Sequence, residues 1–116
     1  IDFSICLDVA ANELFKNKKY SIHSKKFIST DETINKYLKL IRKYKIKSIE
    51  DPFAENDWQS WSKFTRSVKN TQIVGDDLYV TNLERLKKGF LKYPFSPFGL
   101  FLHIYPTSLQ SPKAYA

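Results

Sequence analysis

Three times in the first 92 residues an apolar run closes on an acidic residue and gives way to a loop and an amphipathic stretch: "FSICLDVA", "KIKSIEDP" and "TQIVGDDLYV". Strands that alternate with helices are not joined by tight turns, so each helix must carry the chain back across the sheet and the strands must run parallel. The class is therefore α/β. In "STDETINKYLKLIRKY" Ser29 and Glu32 have capping-box spacing, and Ile34, Tyr37, Leu38 and Ile41 share one helical face. "NDWQSWSKFTRSVK" predicts a helix burying Trp58, Trp61, Phe64 and Val68, with the tryptophans as core rather than as a ligand platform. "TNLERLKKGFLK" predicts another, with Thr81 and Glu84 at capping-box spacing and Leu83, Leu86 and Phe90 facing inward. Between the first strand and the first helix, "LFKNKKYSI" reads as a short hairpin with Asn17 near its turn.

Of the 116 residues 42% are hydrophobic, enough for one modest packed domain. The pattern is already inside a strand at Ile1 and no methionine occurs, so the chain reads as a fragment whose start lies upstream. Cys6, the single cysteine, is expected as a buried core thiol, and its lack of a disulfide partner fits a reducing cytoplasm. No stretch reaches the roughly 18 to 20 apolar residues of a membrane span. The net charge of +7 comes from scattered lysines. A basic binding module for RNA or another polyanion is the alternative that this charge keeps open, recognisable by a steep loss of affinity with salt. Yet no RNA-stacking signature, glycine clamp or zinc spacing accompanies it, so nucleic acid is not the expected partner. From Tyr93 onward only Lys113 is charged and four of the five prolines occur. Residues 1–92 thus form one unit and 93–116 an atypical Pro- and aromatic-rich tail, of the kind a reading-frame slip produces. Within it "FGLFLHIY" reads as one short strand or an apolar patch.

Asp8, Glu50 and Asp76 each end one of the three strands. Parallel strands put their C-terminal ends on one rim, where α/β proteins build their sites, so the three acids converge although far apart in sequence. Two carboxylates about 4 Å apart repel by on the order of 4 kcal/mol at an effective dielectric near 20. A hard divalent cation such as Mg²⁺ offsets that and leaves positions for water or substrate oxygens. Capping of the following helices is the competing role, and position alone leaves both open. Asp31 and Asp57 read as caps or first-turn dipole partners. Asp51 and Asp77, one residue further, read as supports of the rim. His23 and His103 have ligand spacing to nothing. Phosphoryl transfer would require a glycine-rich loop, and Gly75, Gly89 and Gly99 form none.

The segments "LDVAANELFKNKKY", "SIEDPFAENDWQSW" and "QIVGDDLYVTNLERL", in this order and spacing, resemble the C-terminal barrel domain of enolase, the glycolytic phosphopyruvate hydratase, over about residues 1–92. The resemblance implies part of a (β/α)8 TIM barrel: about three parallel strands with covering helices, plus the hairpin. It implies a hydro-lyase converting 2-phosphoglycerate to phosphoenolpyruvate with Mg²⁺, in a cytoplasmic homo-oligomer, commonly a dimer or octamer. The family's three metal-binding carboxylates match Asp8, Glu50 and Asp76, with Glu50 and Asp76 also at the substrate. Its general base is a lysine on the next strand, and a glutamate upstream helps expel hydroxide. Neither is carried onto this sequence: the glutamate would precede Ile1, and Phe101 stands where the lysine is expected, with His103 two residues later. No catalytic residue is therefore assigned within the chain. A full barrel needs about 250 residues, so 92 are expected to leave two sheet edges unpaired and to fold poorly alone.

Overall fold

The computed structural model describes residues 3–22, 25–92 and 100–102, the last three and Lys92 by their backbone only. Expectations for His23, His103 and most of the tail fall outside the described residues. Four parallel strands, β1 (Cys6–Asp8), β4 (Ser48–Glu50), β5 (Gln72–Gly75) and β6 (Leu100–Leu102), form one sheet in that order. Between β1 and β4 lie a 3-10 turn (Ala11–Leu14), the hairpin β2 (Phe15–Lys16) and β3 (Lys19–Tyr20), and helix α1 (Thr30–Tyr44). Helix α2 (Trp58–Ser67) joins β4 to β5, and a single helical turn α3 (Asp76–Tyr79) precedes α4 (Leu83–Lys92). The α/β class and the parallel arrangement thus hold, with β6 extending the three strands read from sequence. Among the described residues no helix is long and apolar enough to cross a membrane.

Register explains which side chains face which layer. Leu7, Ile49 and Ile73 are aligned across β1, β4 and β5, and Ile49 and Ile73 are fully buried under the helices. Alternation then turns Cys6, Asp8, Ser48, Glu50, Gln72 and Val74 to the opposite face. That face is exposed or half-buried throughout. Cys6 is therefore exposed, not the core thiol expected, because its edge strand sends Leu7 rather than Cys6 toward the helices.

The core lies between sheet and helices. Phe53 is fully buried, with ring centroids 5.4 Å from Tyr20, 5.7 Å from Tyr37, 5.5 Å from Phe64 and 6.4 Å from Trp61. Helix α1 begins with the expected capping box between Ser29 and Glu32, and Ile34 and Tyr37 are buried on the predicted face, with Leu38 and Ile41 packed beside them. Trp58, Trp61, Phe64 and Val68 are all buried. The hairpin turns at Asn17 and Lys18, both in the left-handed region. Its Tyr20 hydroxyl donates to Asp57 Oδ2 at 2.6 Å and accepts from the Ala54 N–H at 3.1 Å. Burial, with the hydrogen bond to Asp57 adding to it, pushes that phenol far above its ordinary range and keeps it a proton donor.

Helix α4 departs from expectation in both its cap and its buried face. Val80 and Thr81 adopt left-handed backbone in the turn out of α3, so the cap falls one residue later: Asn82 Oδ1 accepts from the N–H groups of Glu84 at 2.9 Å and Arg85 at 3.1 Å. Glu84 pairs with Lys87 instead of closing a capping box. Leu83 and Phe90, expected to face inward, are 63% and 74% exposed; of the three apolar residues expected to be buried, Leu86 is the one packed against the core.

Candidate metal centre

The rim is built by where each strand stops. Glu50 is the last residue of β4, and Asp51 follows in left-handed backbone, φ 43°. This reversal lets the Asp51 N–H donate to Val74 O at 2.9 Å while Asp51 O accepts from the Ala11 N–H at 3.1 Å. One residue therefore ties β4 to both neighbouring strand ends. Strand β5 stops at Gly75, and the chain turns at once into α3 rather than continuing through "DDLYV" as the sequence suggested. Two features favour that turn. Both Asp51 carboxylate oxygens accept the Asp77 N–H, at 3.1 and 3.2 Å, and Leu78 and Tyr79 bury beneath it. A Cβ at position 75 would meet Leu78 Cβ at 3.1 Å, tighter than ordinary contact, so glycine eases the close approach of the turn to the strand end.

Glu50, Asp51 and Asp76 consequently bring one carboxylate oxygen each within 4.8 Å of one another. Glu50 and Asp76 are half-buried and Asp51 is buried. The Asp51 carboxyl is pushed up to about 7, chiefly by burial; the Asp77 N–H opposes the shift, and the charges of Asp77, Asp76 and Glu50 add to it. Ionising Asp51 beside its acidic neighbours is thus disfavoured, and a cation there would relieve the cost.

Of the residues singled out by sequence, Glu50 and Asp76 meet as expected. Asp8 is in register with Glu50, one interstrand spacing away on the same face, but its carboxylate lies outside the group of three. Its Oδ1 instead accepts the Ala10 N–H at 3.1 Å. Asp51 joins the group directly, while Asp77 is half-buried and receives Asn12 Nδ2 at 3.1 Å on Oδ2. Asp57 is the α2 cap, accepting from Ser60 N, and Asp31 lies in the first turn of α1, paired with Lys63 at 2.6 Å.

The donor set suits a hard cation. Opposite ligands of Mg²⁺ stand about 4.2 Å apart, at twice the usual metal–oxygen distance. The three oxygens all lie within 4.8 Å of one another, so the side chains would have to draw together to share one ion. The strand pairing also places Phe101 beside Val74 in the row that contains Asp8 and Glu50. That is the position at which the resemblance expects the base.

Sequence reasoning missed two groups that organise the rim. Asn12 Oδ1 accepts the Glu55 N–H at 2.8 Å. Arg85 donates from Nε to Leu78 O, from Nη2 to Glu55 O and, at 3.2 Å, from Nη1 to Asn56 Oδ1, with its guanidinium 5.1 Å from the Trp58 ring. Both are single polar residues inside ordinary-looking segments, and nothing in their spacing marks them.

Comparison with known proteins agrees with this geometry. Residues 1–95 match the family model described as enolase, C-terminal TIM barrel domain. An enolase of Pelagibacter ubique is 74% identical over 90 residues, covering 78% of this chain and 22% of the relative. An enolase of Campylobacter jejuni is 48% identical over 89 residues, covering 76% and 21%. The chain spans about a fifth of the length of these curated relatives. Strand-end acids on a parallel sheet and a family match over most of the chain lead to one assignment: the chain belongs to the enolase family, as part of its C-terminal TIM barrel domain.

Proposed function

We propose that this chain carries the Mg²⁺-binding rim of an enolase, a hydro-lyase forming phosphoenolpyruvate from 2-phosphoglycerate, and that it lacks the groups that move the proton. The observation that carries the reading is the approach of Glu50, Asp51 and Asp76 to within 4.8 Å. Glu50 and Asp76 hold Mg²⁺ and face the substrate's oxygens. Asp8 joins them by giving up the Ala10 N–H, a local change on an exposed edge strand. Asp51 and Asp77 orient the rim, Asp51 through the Asp77 N–H and Asp77 through Asn12. Bound Mg²⁺ supplies positive charge that offsets the negative charge developing on substrate oxygens when a proton leaves the neighbouring carbon. Phe101 has no group able to accept that proton. No residue of this chain is assigned as the catalytic base or acid, and the 116-residue chain is read as binding metal without turnover. A cytoplasmic location and a homo-oligomeric whole protein go with this glycolytic role.

Calorimetric titration of the chain with Mg²⁺, together with an assay of phosphoenolpyruvate release from 2-phosphoglycerate, tests both halves. Saturable Mg²⁺ binding with no product release is expected. Absence of Mg²⁺ binding would remove the metal site, and product release would show that a proton-transfer pair is present after all.

A further inference from the structure

Three loops leave the rim, each a few residues beyond one acid, and a single carboxamide joins them. Asn12 lies in the 3-10 turn four residues after Asp8. Its Oδ1 accepts the N–H of Glu55, in the loop that starts at Glu50, at 2.8 Å. Its Nδ2 donates at 3.1 Å to Asp77, the neighbour of Asp76. Asp77 in turn donates its N–H to Asp51. We propose that Asn12 is a positioning residue for the metal site: it fixes the relative placement of the three strand-end loops and so holds the carboxylates at the spacing a cation requires. This rests on the metal reading above.

The chemistry of the contact is demanding. A donor and an acceptor must point in different directions from one side chain, which a carboxamide provides and a carboxylate does not. Aspartate at position 12 keeps the bond from the Glu55 N–H but sets a carboxylate oxygen against the Asp77 carboxylate. The Asp77 side chain is then pushed away, and with it the turn bearing Asp76. Exchanging the two residues restores the pattern with its polarity reversed, because a carboxylate at position 12 accepts from both the Glu55 N–H and a carboxamide at position 77.

Mg²⁺ affinity and thermal stability in EDTA are measured for the native chain, Asn12→Asp and Asn12→Asp/Asp77→Asn. The single variant is expected to bind Mg²⁺ about tenfold or more weakly, as for other groups that orient metal ligands. The exchanged pair is expected to return to within about threefold of the native affinity, the two sites being directly coupled. A purely structural role would move the EDTA melting temperature while leaving the affinity of the folded protein unchanged. Native affinity in Asn12→Asp overturns the positioning role and leaves the metal site standing, as does weak binding that the exchange fails to rescue. If the single variant does not fold, the comparison passes to the exchanged pair, whose failure to fold or to bind overturns the proposal. Absence of binding by the native chain overturns both readings together.

Discussion

Replacing Phe53 by alanine is expected to lower the unfolding free energy by about 3–5 kcal/mol, the usual loss when a buried aromatic ring is removed from a core that relaxes only partly. The ring is fully buried and meets four other aromatic side chains, all edge to face. Whole domains are stable by only about 5–15 kcal/mol, so such a loss consumes much of the total. The consequence reaches the site because Phe53 stands three residues after Glu50. The segment around it is pinned by the Tyr37 hydroxyl, which donates to Pro52 O at 2.9 Å, and by Trp61 Nε1, which donates to Ala54 O at 3.1 Å. Urea unfolding followed by circular dichroism measures the effect. A loss under about 1 kcal/mol, the scale of ordinary surface changes, would mean that the ring is not at the centre of the core.

Asp76→Asn should produce two changes of opposite sign. Mg²⁺ affinity should fall by about 100-fold or more, since even groups that only orient metal ligands are worth 10- to 100-fold. Stability without metal should rise, because removing one charge relieves repulsion from Glu50 and Asp51. For charges 4.8 Å apart that repulsion is about 3.5 kcal/mol at an effective dielectric of 20, and partial exposure brings the gain down to roughly 1 kcal/mol. Calorimetry gives the first change and thermal melting in EDTA the second. Weaker binding accompanied by lower stability would point to a damaged fold rather than to a lost ligand.

Much of this was legible because periodic signals survive tertiary packing. The run "KSIED" reads as a strand ending in acid, and parallel pairing then carries Glu50 and Asp76 to one rim without further information. Ser29 and Glu32 announce the start of α1 by side-chain chemistry that is entirely local. What could not be read depends on neighbours. Cys6 looks like a core residue in an apolar run, and only the register of β1 on β4 shows that it faces away from the helices. Leu83 and Phe90 have the right spacing for burial, but spacing does not say whether a partner packs on them. The left-handed turn at Val80 and Thr81 moved the α4 cap to Asn82, against the preference of β-branched residues for extended backbone. Asn12 and Arg85 act across 65 and 30 residues of sequence respectively, and a single chain offers no pattern for such contacts.

Manganese, which shares the preference of Mg²⁺ for oxygen ligands, turns the rim into something visible by paramagnetic broadening of amide resonances. Substoichiometric Mn²⁺ added to the isotopically labelled chain should first erase the signals of Asp8, Glu50, Asp51, Asp76 and Asp77, compete with Mg²⁺, and leave Lys69 and Asn70 before the start of β5 sharp. Broadening centred on other acids, such as Asp31 and Glu32 on α1, or unaffected by Asp76→Asn, would contradict a metal site at the strand ends.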